Sequence, residues 1–256
     1  MMALLKIEDV TVAFGGLLAL EKININVNPG TITALIGPNG AGKTTLLNVI
    51  TGSVRPRTGK VLFDGTEITG IPAYTLVGMG LTRTFQLTNV FPNLTVLDNL
   101  MLGSYVFCRP WKELLNDIFA RRDPALAAAR ASVDEVLEFT GLLPYRDLKA
   151  RQLPYGQQRL LELGIALAAK PRLLLLDEPA AGMNEEETKA LAGLLGRIRA
   201  NKVTILLVEH NMRLITNICD DAYVLVHGRN ITAGPPRQIL QDPQVIEAYL
   251  GRRKHA

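Results

Sequence analysis

The sequence predicts an α/β fold: a mostly parallel sheet covered on both faces, with an antiparallel β subdomain and an inserted helical subdomain. Three observations predict it. Continuous apolar runs such as "TITALIG", "RLLLLD" and "VTILLVEH" alternate with helical patterns, as expected of strands buried on both faces. Two N-terminal segments instead alternate apolar with polar residues, the mark of a half-buried antiparallel pair. From Leu94 to about Gly141 strand patterns give way to helical ones, interrupted by Pro110 and Pro124.

Taken in order, "LLKIEDVTVAFG" and "LEKININVNPG" are the alternating strands, each ended by glycine or proline. "TITALIG" is a denser apolar strand, followed by a glycine-rich loop and the helix "KTTLLNVITG", which Gly52 stops. "GKVLFDG" is a short strand between turns, and "LTRTF" is strand-like. "LTVLDNLMLGSYV" and "ALAAARASVDEVLEFTGLL" form the helical insert. The α/β rhythm then resumes with a helix from Gly156, the strand "RLLLLD" and the helix "EEETKALAGLLGRIRA". The strand "VTILLVEH", the helix "NMRLITNIC" and the strand "AYVLVHG" follow. The closing "GPPRQILQDPQVIEAYLG" reads as two short helices parted by Asp242 and Pro243.

Composition excludes several classes of function. The chain has 256 residues, of which 48% are hydrophobic and 20% charged, the balance of a soluble globular protein with a sizeable core. Its net charge of +4 owes much to the tail Arg252, Arg253 and Lys254, and no basic stripe interleaved with aromatics marks a nucleic-acid surface. Cys108 and Cys219 are far apart and lack metal-ligand spacing, so they read as reduced bystanders. The opening "MMALLKIEDV" has too short an apolar run for a signal peptide, and no apolar segment is long enough to span a bilayer. Any service to a membrane is expected from the water side.

The strongest chemical signal is "GPNGAGKT": Gly37, Pro38, Asn39, Gly40, Ala41, Gly42, Lys43 and Thr44, placed between an apolar strand and a helix. Glycines let backbone N–H groups converge on phosphate oxygens at the helix N-terminus. Lys43 supplies a point charge for the β- and γ-phosphates, Thr44 a hydroxyl suited to Mg²⁺, and Thr45 a further phosphate contact. Asp177 follows four leucines and so sits at the C-terminal end of a buried strand, where it suits Mg²⁺ held through water. Glu178 is placed to polarise the attacking water as general base. His210 ends another strand on the same rim, within reach of the γ-phosphate. A loop glutamine, Gln86, and a strand aromatic, Phe14, carry little by themselves, since such residues are more often solvated or packed.

Together these residues resemble the ATP-binding subunit of an ABC transporter, a P-loop NTPase. The match covers nearly the whole chain in the family's order: Walker A (Gly37 to Thr44), Q-loop (Gln86), signature "LPYGQ" (Leu153 to Gln157), Walker B "LLLLDE", D-loop "AAGMN" (Ala180 to Asn184) and switch His210. The resemblance implies catalytic roles for Glu178, His210 and Gln86, with Mg²⁺ held by Thr44, Gln86 and Asp177. It places Phe14 against adenine, and gives Leu153, Gly156 and Gln157 to the ATP held by a second subunit, itself or a paralogue, in a head-to-tail dimer. Integral-membrane permease subunits are the other implied partners, with no nucleic acid, and the location is the cytoplasmic face of the inner membrane. The domain expectation is one nucleotide-binding domain over 1–256, with a helical subdomain at about 88–165 and a C-terminal helical extension at about 235–256.

Within the family, "YGQQR", "DEPAAGMN", "VEHNM" and "DPQVIEAYLG" look most like an ATPase of branched-chain amino-acid importers. Lipopolysaccharide-export and urea-import ATPases are the related alternatives. A soluble ABC ATPase would carry a coiled-coil insertion or a second cassette; a P-loop kinase would leave the signature and His210 unexplained. The insert residues Val106, Phe107, Trp111, Leu114 and Leu115 read equally as a permease-docking face or as subdomain core. Pro154 and Tyr155 stand where the family has serine and the first glycine, and Asn184 replaces the D-loop aspartate. Losing the serine hydroxyl removes a charge-assisted donor to phosphate, so the ATP site completed by this signature is expected to be the weaker of two, which favours pairing with a paralogue.

Overall fold

A run of four leucines at the centre of the chain sets out the architecture. Leu173 and Leu175 point into one hydrophobic cluster and Leu174 and Leu176 into another, because successive side chains of a strand face opposite ways. The computed structural model describes residues 2–84, 90–108 and 124–250. In it this strand, β7 (Leu173–Asp177), lies inside a six-stranded sheet. The other members are β3 (Ile32–Ile36), β6 (Leu81–Arg83), β8 (Thr204–Val208), β9 (Asp221–Val226) and β10 (Arg229–Gly234), in the order β10-β9-β3-β8-β7-β6. All neighbours are parallel except the β9–β10 hairpin.

The second sheet is antiparallel, with β1 (Leu5–Phe14) between β2 (Leu17–Val27) and β4 (Thr58–Phe63), and β5 (Thr66–Glu67) at its edge. Its inward residues, among them Leu5, Ile7, Leu20, Ile23, Ile25 and Phe63, share one cluster with Leu46, Leu47 and Ile50 of α1 (Lys43–Ile50). Each such side chain, fully buried, contributes roughly 1.5–3 kcal/mol. A short helix, α2 (Ala73–Gly78), leads into β6.

The helical insert contains α3 (Val96–Cys108), α4 (Pro124–Thr140) and α5 (Tyr155–Ala168). Val96, Leu100, Val133, Leu137 and Leu161 from these three helices make a core of their own. Gly103 and Gly164 allow the closest approaches: a Cβ on Gly103 would stand 2.5 Å from the Ile165 carbonyl oxygen, and one on Gly164 2.9 Å from Leu100. The insert residues Trp111, Leu114 and Leu115, and the side chains of Val106 and Phe107, lie outside the described residues.

α6 (Glu185–Ala200) covers the face opposite α1 through Leu191, Leu194, Leu195 and Ile198. Three glutamates in its first turn and Arg197 and Arg199 in its last complement the helix dipole. α7 (Met212–Ile218) follows β8. Burial pushes the thiol of Cys219, just past its end, up to about 12, which keeps it protonated and unreactive. The two closing helices are α8 (Pro236–Ile239) and α9 (Pro243–Leu250); Ile239 and Val245 bury against Ile215, Ala222 and Val224.

The strands depart from the sequence reading at β8 and β10. β8 ends at Val208 rather than at His210, because the buried Glu209 carboxylate turns back to accept from the His210 and Asn211 amides at 2.9 and 3.3 Å. β10 was not expected at all; its segment "RNITAG" is partly exposed along its whole length and has no apolar alternation.

Candidate functional site

β3 ends at Ile36 in the middle of the parallel sheet, so the loop that follows emerges at the carboxyl edge, where α/β sheets place ligands. Two glycines set its path. Gly37 has φ 151°, and a Cβ there would stand 2.1 Å from the Leu225 carbonyl oxygen; Gly42 has φ 105°, and a Cβ there would meet Leu20 at 2.6 Å. α1 then starts with no side-chain cap and no acidic residue in its first turn. In α6 and α7 Asn184 and Asn211 cap the first turn instead. The first N–H groups of α1 are therefore left for an anion.

Lys43 is buried, and its ammonium donates to the Gly37 and Pro38 carbonyls at 2.8 and 3.0 Å. Burial lowers its pKa, while the charges of Glu178 and Asp177 push it back up. Tyr249 of α9 reaches the start of the same loop: burial raises its phenol, and a hydrogen bond from the Gly37 backbone acts against that rise.

A cleft of about 920 Å³ opens over the loop. Asn39, Gly40, Ala41, Gly42, Lys43, Thr44 and Thr45 form its floor, Glu178 and His210 one wall, and Phe14, Leu17 and Leu18 an apolar end. Phe14 is 52% exposed there, so its ring is presented to the cleft rather than spent on the core. His227 and Gly228, in the β9–β10 turn, complete the lining. The Gly228 amide donates to the Ala41 carbonyl at 3.0 Å, and its own carbonyl accepts from Glu21 at 2.7 Å.

Opposite the loop, Asp177 is 2% exposed at the end of β7, and Arg83 at the end of β6 donates to its Oδ2 at 2.8 Å. Asp177 Oδ1 is buried and has no hydrogen-bond partner among the described residues. That orphaned oxygen is a hard acceptor of the kind that suits a divalent cation such as Mg²⁺, as is the exposed Thr44 hydroxyl in the cleft. Glu178 adopts φ 51°, a strained conformation for a non-glycine residue, and its Oε1 lies 2.9 Å from His210 Nε2. Glu209, missed in the sequence, fixes both neighbours: its carboxylate accepts from the Ala180 amide at 2.8 Å as well as from His210 and Asn211. The available signal was a lone charge closing an apolar strand. Gln86 lies outside the described residues.

The signature residues do not join this cleft. Pro154 is the N-cap of α5, with φ −55° and ψ 155°, and α5, like α1, starts without a side-chain cap or an acidic residue. Leu153 is buried in the helical core, Gly156 packs where a Cβ would meet Glu187 Oε1 at 2.5 Å, and Gln157 Oε1 is buried with no hydrogen-bond partner among the described residues. Tyr155 turns toward its own chain's 180–184 loop: its hydroxyl donates to the Ala181 carbonyl at 3.0 Å and accepts from Arg159 Nε at 3.0 Å. The Arg159 guanidinium also stacks 5.4 Å from the ring, and pairs with the buried Glu162 at 3.0 Å.

A phosphate loop, a buried aspartate and a glutamate–histidine pair on one edge of a parallel sheet define a P-loop nucleotide hydrolase. Residues 20–181 match the ABC transporter family, and with similarity to curated members running over nearly its full length, the chain belongs to the ATP-binding subunits of that family. Residues 229–255 match the family described as branched-chain amino acid ATP-binding cassette transporter. The chain is 40% identical over 251 residues to the high-affinity branched-chain amino acid transport ATP-binding protein LivG of Escherichia coli K12, covering 97% of this chain and 98% of that protein. It is 38% identical to its counterpart BraF of Pseudomonas aeruginosa, covering 97% and 98%. Among solved structures it is similar to an ABC transporter ATP-binding cassette in its ADP conformation, with a TM-score of 0.87, 33% identity and coverage of 98% of this chain and 100% of that one.

Proposed function

We propose that this chain is the ATP-hydrolysing subunit that powers an ABC importer for branched-chain or other hydrophobic amino acids. The observation that carries the ATPase chemistry is the cleft in which the uncapped start of α1 and Lys43 face the Glu178–His210 pair. The N–H groups of Gly40, Gly42, Lys43 and Thr44 hold the phosphates, with Asn39, Ala41 and Thr45 completing the cradle. Phe14 and Leu18 take the adenine at the apolar end. Glu178 accepts a proton from the attacking water, and His210 holds that carboxylate and contacts the γ-phosphate. Mg²⁺, when bound, neutralises charge developing on the phosphates; Thr44, Asp177 and Gln86 are the residues to hold it.

The cargo rests on the similarity to LivG and BraF. Leu153, Gly156 and Gln157 stand outside the cleft, which supports their service to nucleotide held by a second subunit, a paralogue or another copy, in a head-to-tail dimer. Pro154 and Tyr155 stand there in place of the serine and first glycine, and we take the paralogue as the partner. No described helix is long and apolar enough to cross a membrane. On the similarity to transport ATP-binding proteins, we take permease subunits to supply the path and place this chain at the cytoplasmic face of the inner membrane. We take 1–256 as one nucleotide-binding domain, with a helical subdomain at about 88–165 and a C-terminal extension at about 235–256.

Two measurements test this. Glu178→Gln should retain MgATP binding and lose turnover by about 10²–10⁴-fold, and hydrolysis within a factor of two of the parent removes Glu178 from the role of base. The tagged chain purified from membranes should bring multi-span permease subunits with it, and their absence under conditions that preserve assembly contradicts the transport role.

A further inference from the structure

We propose that Arg83 is a positioning residue that holds the candidate Mg²⁺-binding groups in register; the inference rests on the reading of the cleft as a Mg-nucleotide site. Arg83 stands at the end of β6, and its side chain is 5% exposed. Its guanidinium forks. One arm, Nη2, donates to Asp177 Oδ2 at 2.8 Å, and the other, Nη1, donates to Asn48 Oδ1 at 2.7 Å.

Each arm ends beside a group expected to meet the cation. Asn48 lies on α1 four residues after Thr44, one helical turn along the same face. Among the described residues Asp177 is engaged through only one oxygen, and its Oδ1, buried and without a partner there, is the atom left for a ligand. One buried cation thus ties the phosphate-loop helix to the end of β7. It selects which carboxylate oxygen is committed internally and which is presented. A planar fork can reach two acceptors at fixed angles, and a lysine cannot.

Supporting groups of this kind typically change metal affinity by about 10–100-fold when removed. In the purified full-length chain, Mn²⁺ titrated in the presence of ADP and followed by electron paramagnetic resonance reads metal binding without turnover. ADP affinity in excess chelator reads nucleotide binding without metal. For Arg83→Gln the Mn²⁺ midpoint should rise about 10–100-fold, with metal-free ADP affinity within about twofold of the parent. Arg83→Lys should recover only part of the loss. Asn48→Ala removes one arm at a half-buried position and should raise the midpoint in the same direction by less; it decides the matter if Arg83→Gln does not fold. An unchanged Mn²⁺ midpoint in a folded variant overturns the inference. So does an equal loss of ADP affinity with and without metal, which marks a general structural role. If the parent chain binds neither ADP nor Mn²⁺–ADP, the nucleotide-site reading itself falls.

Discussion

Tyr155 is the residue at which the signature departs most from its family, and its bulk has a local use. Its hydroxyl and ring connect the first turn of α5 to the 180–184 loop, and Gly182, at φ 77°, is shaped around it: a Cβ there would stand 3.0 Å from the ring. Tyr155→Phe keeps the ring and removes the hydroxyl's bonds to Ala181 and to Arg159 Nε. The expected cost is about 0.5–1.5 kcal/mol, confined to the loop, and visible as faster amide hydrogen exchange over 180–184 with α5 unchanged. Exchange equal to the parent would show that the hydroxyl anchors nothing. Individual residues were legible in the sequence where their role is local. Gly37 through Thr44 announce themselves because the loop, the strand before it and the helix after it are contiguous. Arg83 and Glu209 do not, since their partners Asp177 and Ala180 lie 94 and 29 positions away.

At the scale of elements, α6 explains why Asn184 can stand in the D-loop. Its side chain accepts from the Glu187 amide at 2.9 Å while the Glu187 carboxylate accepts from the Asn184 amide at 3.0 Å, a reciprocal cap. Asparagine and aspartate are equally good at this position. Asn184→Ala should lower stability by about 0.5–2 kcal/mol, read as a shift in the denaturant midpoint, whereas Asn184→Asp should leave it nearly unchanged. Equal losses in the two variants would mean the cap is not what the side chain contributes. The buried strands β3, β7 and β8 were readable from apolar runs, and β1 and β2 from alternation. β10 was not, since an edge strand paired on one side and partly exposed on both faces needs neither pattern. α2, six residues long, is too short for periodicity to show.

For the whole molecule, the β9–β10 hairpin joins the two sheets. Arg229 pairs with Glu21, the Asn230 side chain donates to the Asn24 carbonyl at 2.6 Å, and the Asn26 amide donates to the Tyr223 hydroxyl at 3.1 Å. β9 is also the parallel neighbour of β3, the strand that launches the phosphate loop. Removing residues 221–256 leaves the glycine-rich loop in the sequence but strips β3 of one neighbour and the cleft of His227 and Gly228. The expected outcome is an insoluble or aggregating product, because a buried, largely apolar strand is left with a bare edge. A soluble truncation that still binds nucleotide would contradict this.

The three cross-sheet contacts just named span sequence separations of 197 to 208 residues. During synthesis, then, the glycine-rich loop before α1 leaves the ribosome early and waits for almost the entire chain before its sheet can close. Since chains emerge at roughly 5–20 residues per second, that delay is on the order of ten seconds or more. Until β8 and β9 emerge, the future strand β3 is an unpaired, largely apolar segment. A nascent chain of this protein therefore depends on whatever shields it during that interval, and conditions that slow translation between the phosphate loop and the hairpin should lower its soluble yield before they alter its finished stability.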